Sequence, residues 1–230
     1  MKEFFDAAKS GNLMVLREYL KKDIDINKLD DEGFSALMLA SVFNRVNIAE
    51  ELIKNHALIN LQNEENWTAL IFASFYGHYD IAEILLKNNA DLNIKNKQGF
   101  DALITAAFYK RTDILKLLLE YNADVNTKDY EGFTPLIYSC NHDNADILKL
   151  LLKHNANIND KTNKGVNALM YACLMLKKDI VNELLKNMVN IEDTDNNGDD
   201  AFIYLKSNKY DEDTKILKEI YDMLNRYKKA

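Results

Sequence analysis

An acidic segment in the last part of the chain has the residue types of a calcium site. Asp193, Asp195 and Asn197 place oxygen atoms at the first, third and fifth positions of this segment, and Gly198 follows at the sixth position. A calcium-binding loop of this kind also needs a glutamate at the twelfth position, where this chain has Tyr204. We therefore interpret the segment as a polar turn and expect no metal site there.

Cysteine and histidine are the other residue types that could bind a metal or attack a substrate. Cys140 and Cys173 would occupy equivalent places on two stacked helices, whose axes lie about 8–10 Å apart, whereas a disulfide needs Cα atoms within about 7 Å. We therefore interpret them as reduced thiols packed in a core. No histidine has a His or Cys four residues away, the spacing that suits a metal site on a helix; the four are His56, His78, His142 and His154. The sequence thus predicts a protein that is not an enzyme, with no catalytic residue, cofactor, metal or small-molecule substrate.

Composition narrows the class of protein further. The 230 residues are 47% hydrophobic and 28% charged, which predicts a folded core. The formal net charge of −7 disfavours binding to nucleic acid or to an anionic membrane. We find neither an apolar run long enough to cross a bilayer nor the pattern of a secretory signal. The expectation is an intracellular, cytoplasmic protein.

The chain repeats itself with a fixed period of about 33 residues, which is the interval from Gly99 to Gly132. Glycines recur at this interval, with Asn66 in the one missing place: Gly33, Gly99, Gly132, Gly165 and Gly198. Two residues after each of these positions is a side chain that can cap a helix: Ser35, Thr68, Asp101, Thr134, Asn167 and Asp200. Each cap is followed by Ala or Pro and then by a large apolar residue, which predicts the start of a helix.

A second helix is predicted in the other half of each period. Isoleucine and leucine recur there at positions that share one helical face, as in Ile81, Leu85 and Leu86. The residue after this helix can adopt the left-handed conformation that ends it: His56, Asn89, Asn122 and Asn155. In the unit that begins near residue 63, the two helices should span about 68–75 and 80–87. Neither helix can bury its apolar face alone, so neighbouring units must stack.

These residues resemble the ankyrin repeat family. Thr134-Pro135-Leu136, the Gly77-His78 turn and the segments 89–93 and 122–126 follow its pattern, and the resemblance covers essentially the whole chain. It implies an all-α ankyrin-repeat solenoid of helix–turn–helix units joined by β-hairpin-like loops, with seven units of about 33 residues including the terminal caps. One position departs from the family pattern, because apolar residues replace a histidine: Met38, Ile71, Ile104, Ile137 and Met170. We expect these side chains to pack in the core.

The period divides the chain into a single domain of seven parts. Residues 1–29 form an N-terminal capping helix pair, and residues 195–230 form a C-terminal capping unit. Full repeats occupy 30–62, 63–95, 96–128, 129–161 and 162–194. In the last unit the isoleucine position falls on Asp213, and the apolar face returns three residues late, at Ile216, Leu217, Ile220 and Leu224. A short insertion and a more polar helix suit a terminal cap.

The resemblance implies that partners bind the concave side, which the turns and the first helices form. Apolar and aromatic residues recur at the corresponding positions: Phe34, Phe43, Trp67, Phe75, Tyr76, Phe100, Phe108, Tyr109, Phe133, His142 and Met175. Aromatic side chains are common anchors of protein interfaces. The alternative is that they pack between turns and helices. For Tyr76 and Tyr109, near the helix ends, we favour exposure and binding, and for Phe34 and Trp67 core packing is a strong competitor.

The turns also differ in charge along the chain. The early turns are acidic, with Asp30, Asp31, Glu32, Glu64 and Glu65, and the later ones are more basic, with Lys95, Lys97, Lys128, Lys161 and Lys164. Such a gradient would orient a bound partner. We expect a monomeric, non-catalytic scaffold that binds an unknown protein partner. The alternative is a structural or regulatory subunit that self-associates or covers a partner enzyme with other faces.

Overall fold

The computed structural model describes residues 1–142, 145–207 and 215–228. Within these ranges the chain forms helices, turns and two isolated antiparallel β-bridges, Lys161 to Asn167 and Thr194 to Asp200. Its contacts divide into two compact units, residues 1–123 and 124–230. The division into seven repeats stays a prediction, although the helices recur with the expected period.

The first unit contains eight helices in four antiparallel pairs. Their bounds are α1 Lys2–Ser10, α2 Leu13–Leu20, α3 Ala36–Val42, α4 Val46–Lys54, α5 Ala69–Tyr76, α6 Tyr79–Lys87, α7 Ala102–Phe108 and α8 Thr112–Glu120. The first helix of each pair contacts the first helix of the next pair, and the second helices stack in the same way. The predicted helices 68–75 and 80–87 are confirmed to within one residue.

The described part of the second unit contains six helices. They are α9 Pro135–Ser139, α10 Asp146–Lys153, α11 Ala168–Leu174, α12 Lys178–Lys186, α13 Ala201–Lys206 and α14 Lys215–Lys228. Asp213 lies outside the described residues. The prediction for the last helix is wrong at Ile216, which is 46% exposed, because α14 directs Ile220 and Leu224 into the core.

Helix starts follow the predicted caps. In the first unit the side chains of Ser35, Thr68 and Asp101 accept hydrogen bonds from the amides three residues later, at 3.2, 3.2 and 2.8 Å. In the second unit Thr134, Asn167 and Asp200 cap their helices in the same way. Each such bond satisfies an amide that has no partner within its helix.

Left-handed residues end the second helices, as the sequence predicts. His56, Asn89 and Asn122 have φ of 66°, 64° and 64°, and Asn155 has 65°. Asn66 also lies in this region, with φ of 60°, which explains how it replaces a glycine of the repeat. Asparagine tolerates this conformation better than most residues, so the chain needs few glycines.

The first helices are the core of the stack. Residues 36–41, 69–74 and 102–107 are buried. Helices α3 and α5 each contact the paired helix on one face and the first helices of both neighbouring pairs on two others. The apolar residues that replace the family's histidine are 0–1% exposed, as expected. Alanine at positions such as 40, 73 and 106 lets the helices approach closely.

Candidate functional site

Each turn that precedes a first helix is closed by the side chain at its start. The Asp30 carboxylate accepts hydrogen bonds from the amides two and four residues later, at 3.0 and 2.9 Å. The same pair of bonds forms in four other turns, around Asn63, Asn96, Asp129 and Asp195. In four of these five turns the second amide belongs to an aromatic residue, so the motif fixes the backbone that carries the ring: Phe34, Trp67, Phe100 and Phe133. This acceptor position was not predicted from the sequence, although Asp or Asn recurs there in most of the repeats.

Eight aromatic rings of the first unit form one connected series, which we call the aromatic belt. From one end to the other it contains Phe34, Phe72, Trp67, Phe75, Tyr109, Phe108 and Phe100, with Tyr76 beside Phe75. Neighbouring ring centroids lie 4.3–5.6 Å apart. This is the range in which aromatic pairs attract each other, so the belt is pre-ordered.

The belt is buried on one side and exposed on the other. Tyr76 is 43% exposed and Tyr109 37% exposed, and Phe43, which occupies the equivalent position one repeat earlier, is 45% exposed. The rings at the base of the turns are half-buried. The expected exposure of Tyr76 and Tyr109 is therefore confirmed, and the rings of Phe34 and Trp67 combine packing with partial exposure. Their role in binding stays a prediction.

Phe72 joins the rings of Phe34 and Trp67 within the belt, and it was not among the residues predicted from the sequence. The residue is 8% exposed, and the centroid of its ring lies 5.3 Å from that of Phe34 and 4.9 Å from that of Trp67. The signal was available, because the same position of the repeat carries Tyr138 and Tyr171. It lies in the middle of an apolar helix, where an aromatic residue is indistinguishable from ordinary core.

The second unit has a smaller aromatic group. Phe133 stacks on Tyr138 at 5.1 Å and meets Tyr171 edge-on at 5.8 Å. Met175 is 37% exposed at the end of α11, and His142 is half-buried. The predicted residues of this unit therefore lie at the turn and helix end where the sequence placed them, and their function is untested.

Two tyrosine hydroxyl groups of the second unit bind the carboxylates that close its turns. The Tyr138 hydroxyl donates to the Asp129 carboxylate, and the Tyr204 hydroxyl donates to Asp195 at 2.9 Å. Burial and then the neighbouring carboxylate raise the pKa of Tyr138 well above its usual value. The same two causes raise the pKa of Tyr204 to about 12. Both tyrosines are thus neutral hydrogen-bond donors over the physiological range of pH.

The aspartate and cysteine side chains that could do chemistry are held by hydrogen bonds or buried in the core. The Asp195 carboxylate accepts amide bonds from Asn197 and Asp199 and the Tyr204 hydroxyl bond, so its oxygens are occupied. These bonds, the Asp199 amide first, lower the pKa of Asp195. Burial raises the pKa values of Cys140 and Cys173, which makes both poor nucleophiles.

His78 links neighbouring helix pairs, as a structural histidine would. Its Nε2 atom lies 3.1 Å from the carbonyl oxygen of Val42. Arginine does the same at the equivalent positions, where Arg45 Nε donates to the Lys9 carbonyl and Arg111 Nε donates to a carbonyl of α5.

Ion pairs between neighbouring turns reduce the predicted charge gradient. Lys97 pairs with Glu65 at 3.0 Å in the first unit. In the second unit Lys128 and Lys161 pair with Asp160 and Asp193 at 3.4 and 3.3 Å. The basic character of the later turns is therefore weaker than the sequence alone suggests.

The stacked helix pairs, the capped first helices and the turns that carry exposed rings define a helical repeat protein. A family model described as ankyrin repeats (3 copies) matches residues 4–96, 59–129, 86–162 and 103–197. The chain therefore belongs to the ankyrin repeat family, and the family makes it a protein-interaction module of a kind that is typically non-catalytic.

Solved structures share the fold. The ankyrin repeat domain of Bcl-3, described as a unique member of the IkappaB protein family, superposes with a TM-score of 0.84 at 22% sequence identity. The match covers 96% of this chain and 97% of that domain. At this identity the likeness establishes the architecture alone.

No curated protein matches the sequence significantly. In the described part of the chain, none of the helices is both long and apolar enough to cross a membrane.

Proposed function

We propose that the chain is a non-catalytic scaffold that binds a partner protein through the aromatic belt. The observation that carries the proposal is the exposed face of the belt, where Tyr76 and Tyr109 lie beside half-buried Trp67 and Phe75. An exposed, contiguous aromatic surface is unusual for a protein without a partner. Aromatic side chains at fixed positions give large contact area at a small cost in conformational entropy.

Rigidity of the backbone supports this role. The rings project from helix ends and closed turns, and several of them are held by other rings. A surface that is ordered before binding loses little entropy when the partner arrives, so more of the contact energy appears as affinity. We further propose that the repeats form one scaffold with terminal caps, that the scaffold is a monomer, and that it acts in the cytoplasm.

Affinity capture from a lysate of the source organism tests the proposal. The baits are the wild-type chain, a Tyr76→Glu/Tyr109→Glu variant, and a matched Tyr79→Glu/Tyr227→Glu variant. Tyr79 and Tyr227 are 41% and 45% exposed and lie outside the belt. Circular dichroism checks that all three proteins fold.

We expect a protein that wild type and the matched variant retain and that the belt variant loses. Equal retention by all three folded baits would contradict a role for the belt. It would favour the alternative, in which the chain self-associates or covers a partner with faces other than the belt.

A further inference from the structure

Two of the turns that support the belt are acidic at their tips. Asp31 and Glu64 are exposed, and each precedes a belt ring, Phe34 or Trp67, by three residues. In each turn the amide of the first residue donates to the carbonyl of the ring-bearing residue, at 2.9 and 3.1 Å. The carboxylate and the ring therefore leave the same short turn.

The two turns are neighbours in space. The rings of Phe34 and Trp67 both contact Phe72, with centroids 5.3 and 4.9 Å apart. The belt thus has one end at which two aromatic rings and two carboxylates occupy adjacent turns.

Among the residues that the structure describes, none supplies a cationic partner for these two carboxylates. In the described part of the chain no Lys, Arg or His nitrogen lies within 4.0 Å of the Asp31 or Glu64 carboxylate, whereas Glu65 pairs with Lys97 at 3.0 Å and Glu32 lies 3.7 Å from Lys9. Farther along the belt a charge of the opposite sign is exposed, because Lys110 follows Tyr109.

We propose that the acidic end of the aromatic belt binds an arginine-containing segment of a partner protein. This inference rests on the proposed function and specifies the chemistry of its partner. A guanidinium group can stack on an aromatic face and at the same time donate two hydrogen bonds to a carboxylate. Trp67 and Glu64, or Phe34 and Asp31, supply that pair of features from a single turn.

Arginine suits this site better than lysine does. Its planar guanidinium is weakly hydrated and stacks, whereas the ammonium of lysine is a compact, strongly hydrated charge. The carboxylates also repel phosphate groups, which makes a nucleic acid a poor occupant. The charge of opposite sign beside Tyr109, at Lys110, gives the bound segment a preferred direction.

Selection of peptides tests the inference. Random peptides of about 12 residues, which span about 40 Å when extended, are selected on the full chain and synthesised for titration. Titrations use wild type, an Asp31→Asn/Glu64→Gln variant, a matched Glu50→Gln/Asp113→Asn variant and the Tyr76→Glu/Tyr109→Glu variant. Glu50 and Asp113 are exposed on α4 and α8, the second helices of their pairs. Both double variants remove two negative charges, so they change the net charge equally.

We expect selected peptides that carry arginine next to apolar residues. Their affinity should fall at least about tenfold with the Asp31/Glu64 variant and stay within about twofold with the matched variant. Replacement of their arginine by lysine should weaken binding although the charge is kept.

Other outcomes separate the two proposals. Neutral or acidic peptides that bind the belt, and that lose affinity only in the Tyr76/Tyr109 variant, would overturn the arginine inference and leave the proposed function intact. Basic peptides that bind all four proteins equally would contradict both. A selection in which no peptide binds wild type more tightly than it binds the Asp31→Asn/Glu64→Gln variant would overturn the inference.

Discussion

The hydroxyl group of Tyr138 connects a turn to the half-buried ring that the turn carries. It donates to the Asp129 carboxylate, which also accepts the amides of Glu131 and Phe133 at 2.9 and 2.8 Å. The Tyr138 ring in turn stacks on Phe133 at 5.1 Å. One side chain therefore positions both the backbone and the ring at this part of the surface.

Removal of this hydroxyl should destabilise the fold without unfolding it. We predict that Tyr138→Phe lowers the free energy of unfolding by about 1–2 kcal/mol, because Asp129 loses a buried hydrogen bond to a charged acceptor. Urea denaturation measures the change. Tyr130→Phe is the control, since Tyr130 is 62% exposed and should tolerate the change. Equal stability of both variants and wild type would contradict this account.

Tyr204 makes the related bond to Asp195, and its effect depends on pH. Burial and the carboxylate raise its folded pKa to about 12, above the value of about 10 in an unfolded chain. A raised pKa means that the stabilisation is fully present below pH of about 10 and is lost as the pH rises through about 12.

Absorbance titration of tyrosinate tests this prediction. A difference between wild type and Tyr204→Phe should show one hydroxyl that ionises near pH 12. Ionisation of that hydroxyl near pH 10, as for an exposed tyrosine, would show that the bond to Asp195 is absent in solution.

At the level of the elements, turns of neighbouring repeats constrain each other where they pack closely. Gly33 and Gly132 have the same left-handed backbone, with φ of 82° and 84°. A Cβ atom at Gly132 would lie 2.7 Å from the backbone nitrogen of Asn163 in the next turn, whereas at Gly33 it would meet nothing within 4 Å. Of these two glycines, Gly132 is the one that allows two turns to approach each other.

Alanine at the two positions should therefore have different costs. We predict that Gly33→Ala costs about 1 kcal/mol, which is the strain of a left-handed residue. Gly132→Ala should cost clearly more, because the neighbouring turn must also move. Thermal and urea unfolding of the two variants gives the comparison, and equal losses would show that the turns do not constrain each other.

The caps and helix ends could be predicted from the sequence because each depends on a few neighbouring residues. Ser35, Thr68 and Asp101 act through one local hydrogen bond, so residue type and spacing suffice. The position of Phe72 could not be predicted in this way, since its role depends on rings from two adjacent repeats. Ile216 was misassigned because the face of the last helix depends on its packing, which the period no longer fixes.

At the scale of the whole molecule, each helix pair obtains its stability from its immediate neighbours. In the first unit α5 and α6 contact helices on both sides, whereas α1 and α2 have the neighbouring pair on one side only. Local unfolding should therefore be more frequent in the pair α1 and α2 than in the pair α5 and α6.

Hydrogen exchange measures this difference. We predict that amides in the middle of α6 exchange at least about tenfold more slowly than those in the middle of α2. Uniform protection through the first unit would instead show that it opens as a single cooperative body.

The sequence predicted the family and the class of function, since both follow from the repeat. It also identified most of the belt, because seven of its eight rings occupy recurring positions at turns and helix ends. The identity of the partner does not follow from the repeat, because the same scaffold presents different side chains at those positions in different proteins.

Trp67 gives the most direct test of the central claim, that partners bind the aromatic belt. It is the only tryptophan in the chain and contacts Phe72 and Phe75 within the belt. Fluorotryptophan incorporated at this position gives one fluorine NMR resonance, which an unlabelled partner does not obscure. We predict that this resonance shifts as the captured partner is added, and that the shift is lost in the Tyr76→Glu/Tyr109→Glu variant. Binding detected by calorimetry with an unchanged resonance would contradict this prediction.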